Sequence, residues 1–158
     1  MTAFIIAPAF VLSFTANDNA NFSGEWKLNE SKSDMGQFAN IVPTKIKVEQ
    51  TADAFTTARS SSGFNGEDVL QTETLTFDGK EAETTVLGTS KRKASAKWSD
   101  DGQTIIVTYS LMLDFNGQVT EIKGTETWAL ADGGKSLSMQ NTSSSSFGDN
   151  TFKGVYEK

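Results

Sequence analysis

Hydrophobic and polar residues alternate one for one along most of this chain, and short groups of turn residues break the alternation. Such alternation sends successive side chains to opposite faces, so each run predicts a half-buried β-strand. About ten runs can be drawn, at 22–28, 44–50, 54–61, 68–77, 80–87, 90–98, 103–115, 118–130, 135–142 and 150–157. Between most of them stand Asp53, Asn65-Gly66, Asp78-Gly79, Asp101-Gly102, Asn116-Gly117, Asp132-Gly133 and Gly148-Asp149. Asn-Gly and Asp-Gly pairs supply the positive backbone angles of tight hairpins, so the series predicts an antiparallel meander. No long helical period interrupts it. Closure of a meander into an up-and-down β-barrel removes its exposed edges, and the predicted fold class is therefore all-β, an antiparallel up-and-down barrel of about 8–10 strands. One connection is long: "ESKSDMGQFANIVP", residues 30 to 43, spaces Met35, Phe38 and Ile41 three apart. That spacing predicts a short helical or loop lid after the first strand, or a plug that seals one barrel end. The serine-rich stretches "RSSSGFNG" and "NTSSSSFGD" read as hairpin tips or frayed strand ends.

Parity within each run separates the two faces of the wall. Ile105, Val107, Tyr109, Leu111, Leu113 and Phe115 share one face, and Thr108, Ser110 and Asp114 the other. The apolar parity also carries charge. Arg92 falls with Ala94, Ala96 and Trp98; Glu126 falls with Ile122, Trp128 and Leu130; Gln71 and Glu73 fall with Val69 and Leu75; Arg59 falls with Phe55 and Thr57. An unpaired buried charge costs several kcal/mol, so these groups must find partners inside the barrel. Two readings remain open. Arg59, Arg92, Glu73 and Glu126 form an internal salt-bridge network, or an arginine clamps the acidic head of an amphiphile whose tail lies against Trp98, Trp128 and Phe115. In the second reading Tyr109, Gln71 and Glu126 add hydrogen bonds to the head.

Composition narrows the chemistry further. The 158 residues suit one domain, and three tryptophans, two tyrosines and eleven phenylalanines can build its core. There is no histidine and no cysteine, which excludes His or Cys metal ligands, Ser-His and Cys-His catalytic pairs, a haem held by histidine, and disulfides. No clustered acidic pattern suggests calcium, so neither a cofactor nor a metal is expected. A net charge of −6 argues against nucleic acid as a partner. Lys45, Lys47, Lys91, Lys93 and Lys97 fall on the outer parity, where they form solvated basic rungs or meet anionic envelope lipid or polysaccharide. Glu73 and Glu126 could in principle act as acid and base in a glycosidase-like pair, but their spacing does not separate that from salt bridging. Residues 1–20 are uncharged up to Asp18, and the apolar part, Ala3 to Phe14, is too short to span a membrane. The segment fits a signal peptide, although a basic residue near Met1 is missing and cleavage after Ala16 or Ala20 is imperfect. The expectation is residues 1–20 as a signal peptide and 21–158 as a barrel domain, exported without stable membrane insertion. Export without disulfides suits a bacterial periplasm or extracellular medium.

Gly24-x-Trp26 in the first strand, the long first connection and the meander resemble the calycin superfamily of lipocalins and fatty-acid-binding proteins. More narrowly, "FSGEWKLNESKSD", "TETLTFDGKE", "AKWSDDGQTIIV" and "TETWALADGGKSL" are similar to small exported lipocalin-like domains of bacteria. The resemblance covers roughly residues 21–158 and implies structural roles for Trp26, packed across the barrel floor, and for Gly24, which gives it room. It departs from typical lipocalins in lacking a C-terminal helix and a cysteine pair; ten strands fit the fatty-acid-binding form better. The function it implies is non-catalytic binding or transport of a small amphipathic or hydrophobic ligand in the lumen. The alternative is a ligand-free β-barrel interaction module of the bacterial envelope, whose serine-rich loops meet a partner.

Overall fold

The structure is a computed structural model that describes residues 18–37, 39–63 and 66–158. Most of the expected signal peptide, together with Phe38 and Asn65, lies outside the described residues. Ten antiparallel strands run in chain order: β1 (Gly24–Leu28), β2 (Lys45–Gln50), β3 (Ala54–Ser62), β4 (Asp68–Thr76), β5 (Ala82–Val86), β6 (Ser90–Trp98), β7 (Thr104–Phe115), β8 (Gln118–Ala131), β9 (Ser136–Ser145) and β10 (Gly148–Glu157). Each pairs with its sequence neighbour except β4 with β5, and β1 also pairs with β10. The result is a nearly closed up-and-down barrel whose hydrogen-bonded sheet ends at β4 and β5.

Alternation sets the wall as the sequence predicts. In β6 the even positions Arg92, Ala94 and Ala96 are buried while Lys91, Lys93 and Lys97 are exposed. The outer lysines meet acidic neighbours: Lys91 and Lys93 lie 3.8 and 4.0 Å from Glu83, and Lys47 lies 2.9 Å from Glu49. One end of the barrel is filled. Trp26 is fully buried there, its Nε1 donating to the Phe22 carbonyl at 2.9 Å. Around it an aromatic chain runs from Phe22 to Trp98 (6.0 Å), Trp98 to Phe77 (4.8 Å), Phe77 to Phe55 (5.6 Å) and Phe55 to Trp128 (5.9 Å). Each such side chain contributes roughly 1.5–3 kcal/mol when fully buried, which makes this end the stable base of the molecule. Gly24 owes its identity to its backbone at φ +140 and to the stem of Lys158, which a Cβ would meet at 3.1 Å; Trp26 Nε1 is farther, at 3.9 Å. The Lys158 ammonium lies over the Trp26 ring at 4.7 Å.

The fold settles two alternatives that the sequence leaves open. Among the described residues the 30–43 connection is a loop with single 3₁₀ turns at Glu30–Lys32 and Ala39–Ile41. Between them Asp34 and Lys153 exchange backbone hydrogen bonds at 2.9 and 2.6 Å, and Gly36 takes φ +61. That bridge to β10 outcompetes a helix too short to nucleate alone. The second serine-rich stretch is both strand end and tip: β9 continues through Ser145, opposite Gly148 of β10, and Ser146 and Phe147 make the turn between them. Ala20 donates to the Gly102 carbonyl at 2.9 Å and accepts from Gln50 Nε2 at 2.9 Å.

Candidate functional site

Four charged side chains from four strands converge above the aromatic base. Arg59 on β3 grips Glu126 on β8 through two parallel bonds, Nη1 to Oε1 at 2.8 Å and Nη2 to Oε2 at 2.9 Å. Arg92 on β6 donates from Nε to Glu73 Oε1 at 3.0 Å and from Nη2 to Glu126 Oε1 at 3.1 Å. Trp128 Nε1 completes the set, donating to Glu126 Oε2 at 3.1 Å. Glu126 thus accepts at both oxygens twice over, which uses the acceptor capacity of a carboxylate. Glu73 Oε2 is buried with no hydrogen-bond partner among the described residues; Arg59 Nη2 is 3.8 Å away. The electrostatics follow from the pairing. Burial alone would raise the Glu126 carboxyl, but Arg59 and Arg92 outweigh it and bring it from 4.5 down to about 2. Burial would likewise ease proton loss from Arg59, yet Glu126 and then Glu73 hold its guanidinium charged beyond its usual range. The cluster carries two positive and two negative charges.

Over this cluster opens a cavity of about 610 Å³. Arg59, Arg92, Glu126, Gln71, Tyr109 and Asn141 form its polar floor, and Val69, Val86, Leu111, Leu113 and Ile122 its apolar wall. The Tyr109 ring packs under the Arg92 guanidinium at 4.0 Å, and its hydroxyl donates to Asn141 Oδ1 at 2.8 Å. Burial, then the Glu126 charge, pushes the Tyr109 hydroxyl pKa up, so it stays a neutral donor. Gly124, opposite Tyr109 on β8, is required for that ring position, since a Cβ there would lie 2.5 Å from it. The mouth is rimmed by apolar side chains, Ile41 of the first connection and Leu87, Phe115 and Phe147 at or beside hairpin turns, the last 76% exposed. Leu87 holds φ +47, a left-handed conformation costing a branched side chain roughly 1–2 kcal/mol.

The predicted site residues divide by height along the barrel. Arg59, Arg92, Glu126, Gln71 and Tyr109 line the cavity as expected, and Phe115 reaches it from the rim, 63% exposed. Glu73 joins the ion cluster but not the cavity wall. Trp98 and Trp128 do not form the wall for a tail; both sit beneath the ion cluster in the base. The guanidiniums are committed to glutamates, so of the two readings left open the internal salt-bridge network is the one formed. Asn141 was missed, although Leu137, Met139 and Asn141 share one parity. Phe147 was missed because it lies in a serine-glycine turn rather than a strand.

The nearly closed barrel of ten antiparallel strands, filled at one end and open at the other, is a fold this chain shares with a solved bile acid-binding protein. That structure, the zebrafish ileal bile acid-binding protein complexed with cholic acid, matches with a TM-score of 0.53 over 87% of this chain and 98% of that one. At 18% identity the likeness is one of fold. No protein-family model matches the sequence, and comparison with curated proteins finds no match.

Proposed function

We propose that this protein binds a small amphipathic molecule in its open cavity and carries or sequesters it without bond chemistry. The observation that carries the reading is the cavity itself: about 610 Å³, apolar-walled, with a few polar groups gathered at its inner end. That is the usual make-up of a small-molecule site. The fold neighbour, whose bound molecule is cholic acid, supports an amphiphile of this general kind. Against an acid–base role, a general acid needs a raised pKa, whereas Glu126 is held at about 2 by two arginines. We also propose export to a bacterial periplasm or the medium. Cleavage after Ala16 fits better than after Ala20, because Ala20 already serves the base through both its backbone groups.

Native mass spectrometry of the protein purified from a bacterial envelope extract tests both parts. A bound small molecule released on denaturation, on a chain beginning at Asn17, is the expected result. A bare chain that also fails to take up the uncharged dye N-phenyl-1-naphthylamine would refute the binding reading. A chain retaining Met1, found with the cytosolic fraction, would refute export.

A further inference from the structure

The ion cluster at the cavity floor has cancelling charges and no carboxylate left to give up. Glu126 is saturated by Arg59, Arg92 and Trp128, and Glu73 is held by Arg92. A ligand carboxylate could take the bidentate fork of Arg59 only by displacing Glu126 from both of its bonds, stranding a buried charge, and the guanidinium N–H groups left over belong to a cluster with no net charge to offer. A carboxylate left beside the intact cluster would lose hydration and meet no net positive charge in return. Uncharged groups face neither penalty. Gln71, Asn141 and the Tyr109 hydroxyl offer neutral donors and acceptors on the same floor. Asn141 Nδ2 has no bond to any described residue, and its side chain is buried beside the cluster.

We infer that the cavity selects amphiphiles with an uncharged hydrogen-bonding head, such as a hydroxyl or glycerol ester, over carboxylates with the same tail. This rests on the binding reading above and sharpens it: the cluster is a self-neutralised floor that turns fatty acids away. Removing one negative charge from it should reverse the preference. Glu73→Gln is the suitable change, because the amide oxygen can still accept from Arg92 Nε, and Oε2, which accepts no hydrogen bond and only faces Arg59 Nη2 at 3.8 Å, becomes the amide nitrogen.

The test uses the full chain at neutral pH and displacement of bound N-phenyl-1-naphthylamine by tetradecanoate, 1-tetradecanol and 1-monotetradecanoylglycerol. The two neutral amphiphiles should compete at least about tenfold more strongly than tetradecanoate in the wild-type protein. In Glu73→Gln the ratio should move toward tetradecanoate by about tenfold or more. Wild-type protein that binds tetradecanoate as tightly as the alcohol overturns this inference and leaves the binding reading standing. Failure of all three to displace the dye, or of the dye to bind, overturns the binding reading and this inference with it. The wild-type comparison decides the matter even if the variant fails to fold.

Discussion

Glu126 shows how far a single residue can organise this interior. Its four accepted bonds tie together β3, β6 and β8, no two of which are neighbours in the sheet. Because the native carboxyl holds its proton less tightly than the unfolded chain does, the unfolded state binds more protons below the ordinary value. Stability from this group is therefore whole above pH 4.5 and lost as pH falls toward about 2, a window worth about 3 kcal/mol. Urea titrations across that range should show the midpoint falling steeply, and a flat midpoint would mean the pairing does not persist in solution. Arg92 gives a second test. Arg92→Leu strands Glu73 and should cost about 3–5 kcal/mol, whereas Arg92→Leu with Glu73→Leu should recover most of that loss. A single variant as stable as wild type would show that Glu73 finds another partner. Parity in the sequence placed these residues inside correctly, since facing depends only on odd or even position. It could not place Trp98 and Trp128 below the cluster, because height along the axis depends on register between strands, which one sequence does not set.

At the level of elements, the strands were legible because each carries its own alternation and its own turn. All ten predicted runs overlap an observed strand, with ends shifted by a few residues. The long first connection was not legible. Its shape comes from a backbone bridge between Asp34 and Lys153, residues far apart in the chain whose side chains leave no pattern of that contact. The break between β4 and β5 also left no trace, as the Asp78-Gly79 turn looks like any hairpin. There the sheet lacks backbone pairing, and the Arg92–Glu73 bond links β6 to β4 across it. β5 is short and paired on one side, so local opening there should be the cheapest in the barrel. Hydrogen exchange should find Ala82–Val86 amides exchanging well before those of Thr125–Trp128 on β8, which pairs on both sides. Equal protection would mean that the gap is closed by backbone pairing in solution.

As a whole the molecule is two half-barrels stacked on an ionic layer. Below the layer, aromatic side chains fill the lumen and supply stability; above it, the lumen is open and its rim apolar. The layer separates the two functions, since a ligand that enters from the mouth meets Arg59, Arg92 and Glu126 before it can disturb the base. All three tryptophans lie in the lower half, and none lines the cavity. Trp26 and Trp128 are fully buried, and Trp128 already bonds to Glu126. A non-fluorescent amphiphile bound above should therefore leave the tryptophan emission maximum where it was, while displacing a dye bound in the cavity. The same dye, when bound, should still be excited through the tryptophans, because energy transfer acts across distances larger than this barrel. A marked shift of the emission maximum with the non-fluorescent ligand would place it among Phe22, Phe77 and Trp98. The base would then yield to a ligand, and the ionic layer would be a gate rather than a floor.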